Sequence, residues 1–255
     1  MKVLICGKGG SGKSSVTAMT ALAMRRRDYR VLVVDADESN LGLHRLLGMP
    51  SPETIMDGLG GKQGFLANTA ALFPDNGSGA DWLPGTPIDA VPGVRSDADD
   101  SLFLAAVGKI HHFGEGCACP MGKLFRRCFS SLAIGEKDLV IIDTAAGVEH
   151  FGRRLDAQAD LILCVVDPSW EAFALAEKIG GLAAEAGVDL GFVLNRMDEA
   201  MAVAAEGRIG AEAVVTRIPM LQEVFAAGLA GTPLLVVPAA VEAICDRIQA
   251  AAPQR

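Results

Sequence analysis

The sequence lacks an excess of positive charge. Its 23 lysines and arginines face 31 aspartates and glutamates, for a net charge of -8 at pH 7, which argues against a dedicated nucleic-acid binder. It also lacks long apolar runs. Stretches such as LILCVV, Leu161 to Val166, are far too short to span a bilayer. The N-terminal MKVLIC runs straight into a glycine-rich loop, with no signal-peptide core or cleavage site. A cytoplasmic location is therefore expected, with the six cysteines reduced. Aromatic residues are scarce, at 5%, although half of all residues are hydrophobic. That balance fits a soluble α/β fold whose strands are buried on both faces. No internal repeat or low-complexity tract is present.

Apolar runs of strand length recur at KVLIC (2–6), RVLVVD (30–35), LVIID (139–143), LILCVVD (161–167) and GFVLN (191–195). Helical stretches lie between them, Ser14 to Arg27 and Trp170 to Ala186 among them. The alternation predicts a doubly wound, mostly parallel α/β sheet flanked by helices, with right-handed crossovers. Arg25, Arg26 and Arg27 fall at the end of the first helix, where their charges complement the helix dipole. Six of the twelve prolines lie between Met49 and Asp100. The chain thus reads as one domain, 1–255, with a loop-rich elaboration at about 49–100. Cys6 and Cys164 sit in strand-like runs and Cys245 on the apolar face of a last helix, Val241 to Ala250. They read as small core residues, and Cys128 lies in a helix-like stretch.

GKGGSGKSS, Gly7 to Ser15, follows the first strand and opens the first helix. It fits the phosphate-loop pattern G-x-x-x-x-G-K-[ST] in the required context. Gly7, Gly9, Gly10 and Gly12, with Ser11, Lys13, Ser14 and Ser15, form a loop whose backbone N–H groups can curl around phosphates. Lys13 reaches the terminal phosphates, Ser14 offers its hydroxyl to Mg²⁺, and the helix N-terminus adds positive potential. VVDADESN places Asp35 and Asp37 at the end of the second strand. LVIIDTAAG ends the next central strand in Asp143, with Gly147 as a hinge. Three carboxylates at strand ends beside a phosphate loop favour magnesium chemistry, with Asp35 and Asp143 joining Ser14 around the ion. The expected activity is Mg²⁺-dependent ATP hydrolysis.

Lys8, the second residue of the loop motif, resembles the signature lysine of the deviant Walker A ATPases, the group of MinD, ParA and the nitrogenase iron protein. The resemblance implies that Lys8 reaches the nucleotide of a partner subunit, so that nucleotide state and dimerisation are coupled. It also implies that Asp37 orients or activates the attacking water and that Asn195 reads adenine. The run Asn195 to Asp198 imitates the guanine-reading N-K-x-D pattern as well. Lys8 favours the ATP-using branch, and Asp198 can equally be a helix N-cap.

GEGCACP, Gly114 to Pro120, is the least expected stretch on such a frame. Pro120 biases Cys119 towards extended backbone and suits the first turn of a helix, for which MGKLFRRCFSSL is well composed. Cys117 and Cys119 then approach a helix N-terminus, where the dipole favours thiolate. One chain supplies two such sulfurs, and a closed tetrahedral thiolate site needs four. Two chains meeting face to face would supply them, binding Ni²⁺ or Zn²⁺. A packing role or a redox pair are the competing readings of the two cysteines.

GKGGSGKSS, DADESN, GEGCACP and DTAAGVEHFGRR together resemble the CooC family, the nickel-insertion ATPases of carbon monoxide dehydrogenase maturation. The likeness runs from Lys2 to about the final helix. It implies a MinD-like fold, a nucleotide- and metal-linked homodimer, a CxC metal site and an apo-metalloenzyme client, with carbon monoxide dehydrogenase the leading candidate. An iron–sulfur scaffold or reductase ATPase and a MinD- or ParA-type positioning ATPase are the alternatives. The last helix is apolar on one face but not basic, unlike a membrane-binding helix. His111 and His112 read either as a nickel-loading pair or as exposed loop residues, and His150 as a hydrogen-bonding spacer near the second switch.

Overall fold

The structure is a computed structural model that describes residues 1–72, 85–98, 100–109, 122, 124–125, 129, 132–147 and 159–252, with residues 68–72 as backbone alone. Among the described residues, eight strands form one sheet in the order β3-β4-β2-β5-β1-β6-β7-β8. They are β1 (Lys2–Gly7), β2 (Arg30–Ala36), β3 (Val94–Arg95), β4 (Leu102–Ala106), β5 (Asp138–Thr144), β6 (Leu161–Val166), β7 (Asp189–Asn195) and β8 (Val214–Ile218). Every pairing is parallel except β3 with β4. The five expected strands are present with ends shifted by no more than two residues. β3, β4 and β8 were not read from the sequence.

Alternation along the strands divides the core into two layers, because successive side chains point to opposite faces. Leu4, Leu32, Val34, Ile142 and Ile162 face one side, where α5 (Trp170–Ala186) and α6 (Glu199–Ile209) pack together with Phe65, Phe125 and Phe129. Val3, Ile5, Val33, Ile141 and Leu163 face the other, against α1 (Lys13–Arg26) and α8 (Ala240–Ala251). Two-sided burial explains why these strands read as continuous apolar runs. α1 lies in the middle of its layer, and Val16 to Met24 are all buried. α8 buries Val241, Ile244, Cys245 and Ile248, spaced as one helical face.

The proline-rich stretch contains α3 (Ile55–Gly58), started by Thr54 accepting from Asp57 N at 3.0 Å, and α4 (Gly61–Leu72). α2 (Leu43–Leu46) precedes them, and α7 (Gln222–Ala230) follows β8. Asp198 caps α6, accepting from Met201 N at 2.8 Å, so this aspartate has a structural use. Among the described residues, no helix is long and apolar enough to cross a membrane. The C-terminal ends of β1, β2, β4, β5 and β7 open on one edge of the sheet, the usual place for ligands in parallel α/β folds.

Candidate functional site

The loop from Gly7 to Ser14 is shaped by two close approaches. Gly7 has φ +142°, and a Cβ there would lie 2.3 Å from Val165 O. Gly12 has φ +96°, and its Cβ would lie 2.3 Å from Asn195 Nδ2. Only glycine meets both demands. Gly12 also starts α1 without a side-chain cap, leaving the first-turn N–H groups free for an anion. The loop is braced from β7. Asn195 Nδ2 donates to Ser11 O at 2.7 Å, and Arg196, in the left-handed region at φ +62°, donates from Nη1 to Gly10 O at 2.9 Å. Lys13, nearly buried, donates its ammonium to Lys8 O at 3.2 Å.

Ser14 Oγ donates to Asp143 Oδ2 at 2.7 Å. Asn40 Nδ2 donates to both, at 3.0 Å to Ser14 Oγ and 3.1 Å to Asp143 Oδ2. Asp143 Oδ1 is buried and has no hydrogen-bond partner among the described residues. Burial, followed by the neighbouring Asp35 charge, pushes Asp143 up to about 7. Burial likewise raises Asp35 to about 6, against the pull of Lys109. A desolvated carboxylate pair beside a serine hydroxyl, one oxygen left over, fits a hard cation such as Mg²⁺ with oxygen ligands.

Asp35 and Asp37 are joined through a residue that no sequence motif marked. Lys109, just beyond β4, donates to Asp35 Oδ2 at 2.7 Å and to Asp37 O at 2.6 Å. Asp37 N donates to Asp35 Oδ1 at 3.2 Å. The Asp37 carboxylate accepts from Ser39 N and Ser39 Oγ at 2.9 and 2.6 Å and lines a cleft of about 510 Å³ with Gly9, Gly10, Lys13, Ser14 and Ala146. A second hollow, of about 230 Å³, adjoins it at Ser15 and Arg196 and is lined by Asn195, Met19, Ile218, Pro219 and Phe225. Its largely apolar lining next to the phosphate loop suits a nucleotide base. The sequence signal for this hollow was Asn195 alone.

Lys8 turns towards its own chain. Its ammonium donates to Ser169 Oγ at 3.1 Å and stands 3.7 Å from Glu171. Gly147, at φ +92°, bridges back to Gly7 through its N–H at 3.2 Å. Cys6 and Cys164 stand side by side on β1 and β6, both buried. Their mutual hydrogen bond, then burial, raises the Cys6 thiol, which makes an inert core thiol. Burial raises Cys245 to about 11. Cys117, Cys119, Cys128, His111, His112 and His150 lie outside the described residues.

A glycine loop between strand and helix, with a lysine at its base and a serine hydroxyl against a strand-end aspartate, defines a P-loop nucleotide-binding protein. Residues 2–234 match the CobQ/CobB/MinD/ParA nucleotide binding domain, and the chain belongs to that family; it is a P-loop ATPase of the MinD/ParA kind. It is 39% identical over 235 residues to an uncharacterized ATP-binding protein of Methanocaldococcus jannaschii, covering 92% of this chain and 94% of that one. It is 30% identical over 220 residues to the carbon monoxide dehydrogenase accessory protein CooC of Rhodospirillum rubrum, covering 78% and 80%. The fold matches the septum site-determining protein MinD of Pyrococcus horikoshii, solved with Mg-ADP, at a TM-score of 0.66 and 20% identity, over 97% and 95% of the two chains.

Proposed function

We propose that this ATPase is a cytoplasmic metallochaperone, a single domain over 1–255 that binds nickel or zinc as cargo and delivers nickel to an apo-metalloenzyme. The observation that carries the reading is the pair Cys117 and Cys119 in GEGCACP on a MinD/ParA-type ATP site. The 30% identity to a carbon monoxide dehydrogenase accessory protein supports a client of that type.

In this reading the backbone N–H groups from Gly9 to Ser15 hold the phosphates and Lys13 neutralises the outermost charge. Ser14, Asp143 and Asp35 hold Mg²⁺, which supplies charge neutralisation on the phosphate oxygens. Asp37 orients the attacking water. Asn195 fixes the base end, and the apolar hollow beside it favours adenine. Lys8 leaves Ser169 and Glu171 to act on the partner's nucleotide in a homodimer, as a charge supplied in trans does elsewhere. Cys117 and Cys119 of two chains close a four-thiolate site on the two-fold axis.

The test is a titration with a chromophoric chelator, with and without ATP. One Zn²⁺ or Ni²⁺ per dimer is expected. Cys117→Ser with Cys119→Ser should abolish tight binding while ATP binding persists, and Cys6→Ser should leave the stoichiometry unchanged. One metal per monomer, or unaltered binding in the double variant, would overturn the shared site. An iron–sulfur scaffold would show a visible charge-transfer spectrum after anaerobic purification. ATP should outcompete GTP in the same protein, and equal affinity would return weight to guanine.

A further inference from the structure

Lys109 stands where two switch carboxylates meet, yet it makes no use of the phosphate loop. Its side chain is 12% exposed and that of Asp35 9% exposed. A single ammonium so nearly buried is costly unless its partners are well placed. Here they are placed on both sides of one residue. Lys109 Nζ holds the Asp37 carbonyl at 2.6 Å and Asp35 Oδ2 at 2.7 Å. The other Asp35 oxygen accepts from the Asp37 N–H at 3.2 Å. Both backbone polar groups of Asp37 are therefore clamped, which sets the backbone from which its carboxylate, itself accepting from Ser39 N and Oγ, enters the cleft. The clamp is anchored from behind: Val107 N donates to Asp35 O and Met56 N to Val107 O, each at 3.0 Å, continuing the β2–β4 register that ends at Asp35 and Ala106.

We propose that Lys109 is a positioning residue for ATP hydrolysis, holding Asp37 in the orientation that turnover needs by bridging its carbonyl to Asp35. The proposal rests on the assignment of Asp37 as the residue that directs the attacking water. Misplacement of such a group by about 1 Å can cost about 100-fold in rate. Nucleotide affinity comes mainly from the phosphate loop, whose backbone Lys109 does not touch in the contacts described above.

The experiment compares Lys109→Met, of similar length and neutral, with Lys109→Arg and Asp37→Asn in steady-state ATP turnover, each with a thermal unfolding curve in Mg-ADP. The Met variant is expected to lose about 10- to 100-fold in kcat while KM for ATP stays within about 3-fold. Its Mg-ADP unfolding midpoint should match the wild type, and Arg should restore part of the rate. A Met variant with wild-type kcat overturns the proposal. So does one whose KM, unfolding midpoint and kcat deteriorate together with no recovery by Arg, since that marks a purely structural lysine. Asp37→Asn separates the two levels. If it hydrolyses ATP at the wild-type rate, the assignment of Asp37 fails; if it is inactive while Lys109→Met is normal, the role of Lys109 alone fails.

Discussion

Asp143 is a carboxyl shut away from solvent with a second carboxyl, Asp35, beside it. Its folded value of about 7, and about 6 for Asp35, both lie above the ordinary 3.8. For groups raised in this way, the folded state binds more protons than the unfolded state between those values. Their contribution to stability is fully present below about pH 4 and is lost as pH rises through 7. The nucleotide-free protein should therefore lose stability across that window. Mg²⁺ needs the ionised carboxylate, so its stabilising effect in the presence of ADP should grow from pH 6 to 8. Thermal unfolding with and without Mg-ADP at several pH values checks this, and a pH-independent Mg²⁺ effect would contradict it. Gly12 tests the loop in another way. Gly12→Ala forces a Cβ into Asn195 at φ +96°, which should cost about 1–3 kcal/mol in a denaturant titration and weaken ATP binding. Asp37→Ala removes a carboxylate that accepts, among the described residues, from Ser39 N and Oγ in its own turn; the variant should keep ATP binding and lose turnover, as a nucleotide-binding and phosphate-release pair of assays would reveal.

Among the secondary-structure elements, α8 separates apolar packing from ion pairing. Ile244 is fully buried against the α1 side of the sheet, so Ile244→Ala should destabilise by about 2–5 kcal/mol. Arg27 joins the end of α1 to Glu242 and Asp246 on α8, but those partners are 56% and 70% exposed. Arg27→Ala should cost no more than about 1 kcal/mol; urea unfolding of both variants gives the ranking. The elements legible in the sequence were those with a single physical cause. β1, β2, β5, β6 and β7 are buried on both faces and announced themselves as apolar runs. β8 escaped notice because Val214 to Arg217 are only half-buried on the β7 side of the sheet's end, so Thr216 and Arg217 interrupt the run. β3 has two residues, too few for any periodicity. Lys109 was invisible for a different reason. Its partners lie 74 and 72 positions earlier, and only the adjacency of β4 to β2 brings them together. The phosphate loop, by contrast, is a local structure written in consecutive residues.

For the whole molecule, the partly exposed Lys8 is the informative feature. In the single chain its ammonium is held by Ser169 and Glu171, and it must exchange those contacts to meet another copy. In sedimentation velocity, Asp37→Ala protein is expected to shift towards dimer with Mg-ATP, and Lys8→Ala in the same background should weaken the shift. A monomer under every nucleotide condition would remove the role in trans. The four-sulfur proposal predicts reciprocity as well: metal should favour the ATP-dependent dimer to the same extent that ATP favours metal binding.

The place of β1 at the centre of the sheet bears on how the chain matures as it is made. β1 is made before the other strands of the sheet, but its neighbours are β5 and β6, with Lys2 aligned to Val140 and Val3 to Leu161. Both flanking strands are therefore synthesised only after β2, β3 and β4. At roughly 5–20 residues per second, the nascent phosphate loop waits roughly 8–33 s for Val166 to be added. For most of that interval, until β5 has been made, the apolar strand VLIC has no strand partner, and pairing over so long a separation is slow to form. A nascent chain ending before β5 should not retain ATP, and release from stalled ribosomes at successive lengths should show nucleotide binding appearing only after β6 has cleared the exit tunnel. The first-made strand of the sheet thus waits on two of the later ones before its phosphate loop is held in place.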